Sequence, residues 1–290
     1  MSKPNNTELI RPFRDDKDLA FAAKLTIQEA WHSETLSELQ NFYKHDREGC
    51  LIAEIDNQPV GICIATPYAH TGFIGELIVD HPYRKQGIGF SLMENAIEFL
   101  TARDIKTIFL DGVQNAVQMY KSLGFLPHYR SLRFFGQLEE MKSNFVRQMR
   151  ENDLGEINSL DKDTFGEDRS FFLKERLVQF PELAFVYEKD GVIQAYLFGR
   201  IGVGGWVTAG PWGSYLEEKS QMEILTHFQA AIGNQPFSIG VLEPRKSIVK
   251  QLTLAGMQPR KDPPIRMKLG DGINLGDHPS CLAIGSAAKG

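Results

Sequence analysis

The chain has 290 residues, 42% hydrophobic and 24% charged, a balance ordinary for a soluble globular protein and a length comfortable for two domains. With 32 basic against 37 acidic residues the net charge is -5, which argues against a nucleic-acid partner, and no run of about 18 apolar residues is present to cross a membrane. The three cysteines are scattered, without CxxC or Cys/His spacing, and the polar first residues hold no apolar signal core, so the expectation is reduced thiols, no metal site and a cytoplasmic location.

Residues 9–13 read as a short strand, and a polar turn then leads to a helix over 19–31 with apolar residues at helical spacing. A second helix is expected over 35–43. Residues 50–65 read as a hairpin turning at Asp56-Asn57. A strand over 73–79 runs into Arg84-x-x-Gly87-x-Gly89, and Ile88, Leu92, Ala96 and Leu100 then mark a long amphipathic helix. Residues 107–110 are a short apolar strand, 113–123 a helix stopped at Gly124, and 125–136 extended. Residues 136–143 look like a linker.

The pattern then restarts, with a strand over 145–149, helices over 152–160 and 169–180, and a hairpin over 184–199. A strand over 206–211, a helix over 216–232, a strand over 237–242, a helix over 246–255 and a closing strand over 265–269 complete it. Asp56-Asn57 recurs as Asp190-Gly191, Leu110-Asp111 as Leu242-Glu243, and Tyr120 to Gly124 as Leu252 to Gly256, the last two at one shared offset. This is the signature of a tandem duplication, divided as residues 1–137 and 144–290. The tail over 271–290 is rich in Gly and Ser, with Cys281 to Ile284 able to add a final strand.

Glycines between a strand and a helix allow a ligand to approach the backbone closely. The free N–H groups and the positive dipole end of the helix favour an anion there. Together with the helix motif Ala116-x-x-x-Tyr120-x-x-x-Gly124-Phe125, the Arg-x-x-Gly-x-Gly turn resembles the GNAT superfamily of acetyl-CoA-dependent N-acetyltransferases. In motifs the resemblance covers roughly residues 8–136, and in element order it extends to the second half. It implies an α/β (α+β) fold of two tandem GNAT-like modules, each a mixed, mostly antiparallel sheet flanked by helices.

The resemblance also implies site residues. Gln86, Gly87, Ile88, Gly89 and Phe90 would present N–H groups to the CoA pyrophosphate, with positive charge from Arg84 and Lys85. Leu77, Ile78 and Val79 would pair with the pantetheine arm, and Asn115 would lie near the cofactor. Tyr120 would protonate the leaving thiolate. Glu76 is the first choice for general base and Asp111 the second. Val113 stands where the family often has an Asn.

At the equivalent turn the second half reads Gly210-Pro211-Trp212-Gly213, without Gly-x-Gly, and Glu217 and Glu218 stand near the helix start, where they would repel a pyrophosphate. Leu252 replaces Tyr120. Trp206 and Trp212 are read as core packing between the halves, with a pocket wall as the alternative, and Asp168-Arg169 as a helix start. The expected activity is transfer of an acetyl group from acetyl-CoA to a primary amine by direct attack on the thioester. The acceptor would be a small molecule or peptide, with no metal, no nucleic acid and no membrane involved, and a homodimer is allowed. The alternative is a CoA-binding regulator or sensor without turnover.

Overall fold

The computed structural model describes residues 8–31 and 34–290. The first half runs β1 (Glu8–Pro12), α1 (Asp16–Gln28), α2 (Leu36–His45), β2 (Cys50–Ile55), β3 (Gln58–Pro67), β4 (Thr71–Val79), α3 (Ile88–Thr101), β5 (Thr107–Gly112), α4 (Val117–Ser122) and β6 (Leu126–Gly136). The second runs β7 (Val146–Gln148), α5 (Leu154–Phe165), α6 (Ser170–Gln179), β8 (Phe185–Lys189), β9 (Val192–Ile201), β10 (Val207–Ser214), α7 (Glu218–Ile232), β11 (Phe237–Leu242), α8 (Lys246–Leu254), β12 (Gln258–Pro259), β13 (Ile265–Leu269) and β14 (Cys281–Ala283).

Local chemistry accounts for most boundaries. Asp15 and Thr35 cap α1 and α2 by accepting backbone N–H bonds from the first turn. The expected helix from residue 113 instead begins as one 3-10 turn, Gln114–Ala116, before α4. Neither Val113 nor Ala116 supplies a side-chain cap. The helix expected to end at residue 160 runs on to Phe165, where Gly166 takes a left-handed φ of 101°.

The sheet order is β1-β2-β3-β4-β5-β13-β6-β11-β10-β9-β8-β7, with β12 beside β6 and β14 beside β10. The two halves exchange strands. β13, expected to close the second half, pairs antiparallel with β5 from Ile265↔Gly112 to Leu269↔Ile108. β6 serves both halves: residues 126–130 pair with β13, and residues 131–136 pair with β11. The stretch expected to be a linker is irregular yet anchored, for Leu138 is buried with its N–H on Gln229 Oε1 at 2.9 Å, and Ser143 Oγ reaches Glu223 at 2.7 Å.

Apolar packing follows this plan. Ile88, Leu92, Met93, Ala96 and Leu100 of α3 cover one face of the first sheet with Phe125 and the exchanged Met267. A second cluster builds around Trp212, Phe228 and Phe237 and takes in Phe134 from β6. Each half therefore buries a side chain belonging to the other. Burial of such side chains contributes about 1.5–3 kcal/mol each.

Expressed alone, residues 1–137 leave the β5 edge unpaired. They are expected to aggregate on size-exclusion chromatography and to form a one-to-one complex when residues 144–290 are supplied in trans. A monodisperse first half that ignores the second would overturn the exchange.

Candidate active site

β4 and β5 run parallel only from Thr71↔Thr107 to Phe73↔Phe109 and then part. Beyond that point β4 pairs with β3 alone, and its open side faces a gap flanked by Leu110, Met93 of α3 and Tyr120 of α4. The register slips between Ile64↔Gly75 and Ile62↔Ile78, so β4 carries one extra residue. Glu76 lies in this bulge with a left-handed φ of 49°. That conformation is costly for a non-glycine residue, and bulges beside active sites commonly re-aim a side chain.

At the far end of the gap, Gly87 takes a φ of 94° as the cap of α3. No atom lies within 4 Å of where its Cβ would stand, so backbone conformation rather than internal packing calls for glycine there. The Phe90 and Ser91 N–H groups close onto the Gly87 carbonyl at 2.9 and 3.0 Å. Phe90, expected among the pyrophosphate donors, thus spends its amide inside the helix. The amides of Gln86, Gly87, Ile88 and Gly89 stand at the helix mouth, beside exposed Lys85. Arg84 is engaged elsewhere: its Nε donates to the Val79 carbonyl at 2.7 Å and its Nη2 to Glu29. Asn115 is exposed on the 3-10 turn before α4.

The gap opens into a cavity of about 710 Å³ between the two halves. Glu76, Leu77 and Tyr120 line its first-half side, Phe135, Trp206 and Ser238 its second-half side, and residues 285–287 its floor. Glu76 is buried and accepts no hydrogen bond among the described residues, with its Oε2 fully enclosed. Burial first, and Glu34 second, push its carboxyl well above the usual glutamate range. Tyr120 packs edge-on to Phe125, and burial raises its phenol, which holds the proton as a donor should.

Asp111 has a different role from the one expected. Its side chain is fully buried and takes Arg266 Nε at 2.5 Å, Arg133 Nη2 at 3.0 Å and Ser131 Oγ at 2.7 Å. Burial opposes its charge, but the two guanidiniums hold its pKa below the usual range. A carboxylate so committed is a poor proton acceptor. It cross-links β5 to exchanged β13 and to β6.

Trp206 and Trp212 divide. Trp212 is wholly buried in the second core. Trp206 lines the cavity, stacked on Phe135 at 4.9 Å and 12°, with Nε1 on Ser238 Oγ at 3.0 Å. Asp168-Arg169 is the expected helix start: Arg169 is the N-cap residue of α6 and Asp168 accepts the Ser170 N–H, while the Arg169 side chain forms a two-pronged buried pair with Asp161 at 2.9 and 2.8 Å.

The second half repeats the parted strands, with β10 and β11 paired only over Val207↔Phe237 to Ala209↔Ile239. Here the gap is filled. β14 pairs with β10 at Trp212↔Ala283, and the Ile284 N–H donates to the Gly240 carbonyl at 2.9 Å. The chain beyond β14 is a buried segment that runs back under Glu76, a course the sequence pattern does not foretell. The signal present was the apolar run from Cys281 inside a Gly/Ser-rich tail.

A strand pair that parts beside a helix start, twice in one chain and once with a glycine-opened helix, is the architecture of a tandem acyltransferase fold. The Acetyltransferase (GNAT) family profile matches residues 13–125, and an Acetyltransferase (GNAT) domain profile matches residues 157–278. The chain belongs to the GNAT acetyltransferase superfamily as a tandem member. It is similar to Holothin acyltransferase of Pseudoalteromonas sp. (strain SANK 73390), 26% identical over 58% of this chain and 57% of that protein. It is also similar to N-alpha-acetyltransferase 30 of Xenopus laevis, 25% identical over 47% of this chain and 53% of that protein. The chain thus spans little more than half the length of these relatives. In fold it resembles a putative acetyltransferase from Pyrococcus horikoshii, TM-score 0.80 at 20% identity over 100% of this chain and 99% of that one. A tandem GNAT protein from the clavulanic acid biosynthesis pathway gives TM-score 0.65 at 11% identity over 92% and 100%.

Gly87→Glu is expected to abolish CoA binding in calorimetry while the circular dichroism spectrum stays native; retained affinity would reject the loop as the pyrophosphate site. Asp111→Ala leaves the buried Arg266 guanidinium without its carboxylate and removes one partner of half-buried Arg133, and is expected to cost about 3–5 kcal/mol in urea unfolding. A change below about 1 kcal/mol would reject the cross-link.

Proposed function

We propose that the first half transfers an acetyl group from acetyl-CoA to a primary amine, and that the second half binds no CoA but walls the acceptor side of the cavity. The observation that carries this reading is Glu76, re-aimed by the β4 bulge to the head of an open strand gap. Acetyl-CoA supplies the activated thioester. The first-turn amides of α3 and the dipole behind them suit a pyrophosphate. The unpaired side of Leu77, Ile78 and Val79 offers backbone groups to an amide-bearing arm, and an N–H there can polarise the thioester carbonyl. Held at both ends, the reacting carbon sits before Glu76, so positioning supplies much of the rate.

Glu76 accepts a proton from the amine, directly or through one water. Its raised pKa brings it closer to an ammonium than an exposed glutamate would be, which improves the match for proton transfer. Tyr120, kept protonated by burial, donates to the departing thiolate. Phe135, Trp206 and Ser238 offer the acceptor an aromatic wall with a hydroxyl. The filled gap beside β10 leaves no channel for a second pantetheine arm, which supports one active centre per chain. The acceptor is a small-molecule or peptide amine.

Glu76→Gln is expected to lower kcat/KM by about 10²–10⁴ with the CoA Kd unchanged. A raised carboxyl reaches its base form only as pH climbs through its pKa, so the wild-type acid limb should lie above the ordinary glutamate value and vanish in E76Q. Tyr120→Phe should lower kcat by about 10² with little change in KM for acetyl-CoA. Thiol release from acetyl-CoA across an amine panel measures all three. Full turnover in E76Q would remove Glu76 as base.

A further inference from the structure

Behind Glu76 lies a buried group of charges contributed by both halves. Glu38 on α2 receives Arg176 Nη2 of α6 at 2.7 Å and Lys289 Nζ at 2.6 Å, with Arg200 Nη1 of β9 at 3.8 Å. Arg200 Nη2 also donates to Glu34 at 2.9 Å. Lys289 lies in the segment after β14, with its ammonium 4.5 Å from the Phe42 ring centre and 4.6 Å from that of Phe172. A carboxylate and two ring faces are what a dehydrated ammonium requires.

The segment is tied down at several points. Tyr68 OH donates to the Lys289 carbonyl at 2.7 Å, Arg200 Nη1 to the Gly285 carbonyl at 3.2 Å, and Arg169 Nη1 to the Gly290 carbonyl at 3.0 Å. Ala288 presses on the residue just before the bulge: a Cβ on Gly75 would stand 2.4 Å from the Ala288 Cα. Residues 284–290 therefore support the backbone from which Glu76 projects.

We infer that residues 284–290 complete the active centre of the first half, with Lys289 as the positioning residue that sets the charge on Glu76. The inference rests on Glu76 acting as the base. Lys289 and Arg200, held on Glu38 and Glu34, favour the ionised form of Glu76, while burial, Glu34 and Glu38 oppose it. Among the described residues the other ionisable groups near Glu76 are Cys63 of β3 and Tyr120 of α4, both kept protonated by burial. Without Lys289, one of the two cations that favour its charge is lost, and Glu76, which has no hydrogen-bond partner among the described residues, holds its proton to higher pH.

The test titrates Glu76 directly in the full chain, by infrared difference spectra of ¹³C-glutamate-labelled protein against E76Q. Lys289→Met is expected to raise the Glu76 midpoint by about 1–3 pH units, Lys289→Arg to leave it near the wild-type value, and Glu38→Gln to lower it. Opposite shifts in K289M and E38Q cannot come from loosened packing, which would move both the same way. A midpoint unmoved in K289M, or moved the same way in both, overturns the inference. Should K289M fail to fold by circular dichroism, E38Q carries the test, and an unmoved midpoint there overturns it. None of these outcomes depends on turnover, so failure of the base reading, seen as full activity in E76Q, remains separable.

Discussion

A strand edge inside a protein must have a neighbour, because its N–H and C=O groups are costly to bury unpaired. β5 and β11 each end their half with such an edge, and each is covered by a strand from the other half. β6 is long enough to serve both sheets in turn, which brings Arg133, Phe134 and Phe135 across the boundary. The cavity exists because of that crossing. Its first-half wall carries the parted strands and Glu76, and its second-half wall is built on β11 and the far part of β6. Asp111 reinforces the junction from beneath, since its two arginines come from β13 and β6.

The duplicated scaffold shows how one architecture can be open or closed. Both copies part after three paired residues. In the first, the helix beyond the gap opens on Gly87 with no side chain competing for its amides. In the second, α7 opens on Glu217 and Glu218, whose charge suits the helix dipole but opposes a phosphate. β14 occupies the second gap and supplies the backbone pairing that β10 would otherwise lack. Through the second gap the chain passes from the second core back to the first.

Features set by local chemistry were legible in the sequence. The Asp56-Asn57 turn, with φ of 50° and 63°, needs residues that tolerate the left-handed region, and its counterpart Asp190-Gly191 does the same. The glycines at the start of α3 and the apolar stripe behind them locate the strand-to-helix turn and the helix that follows. Partner choice was not legible. Residues 265–269 have the apolar content of a closing strand, but nothing in that pattern says which sheet they close. Asp111 looked like a free strand-end carboxylate because its arginines lie 22 and 155 positions away. The late start of α4 had a local cause, the absence of a capping side chain at Val113. Glu76 was placed correctly on β4, but the bulge that turns it and the charges behind it come from register and from α2, α6, β9 and the tail.

Those distant charges give the second half a part in the proposed chemistry even though it is read as binding no CoA. A buried carboxyl tends to keep its proton, and Glu34 beside it strengthens that tendency. A base held there must be returned toward its charged form by cations that do not pair with it directly, since a direct partner would occupy the lone pair that receives the proton. Arg200 and Lys289 satisfy both conditions. Both belong to the second half, they bond to Glu34, Glu38 or backbone carbonyls, and they act on Glu76 through the low dielectric of the interior. On the proposed reading, the first half supplies the reacting carboxyl and the open gap, and the second supplies the field in which that carboxyl works.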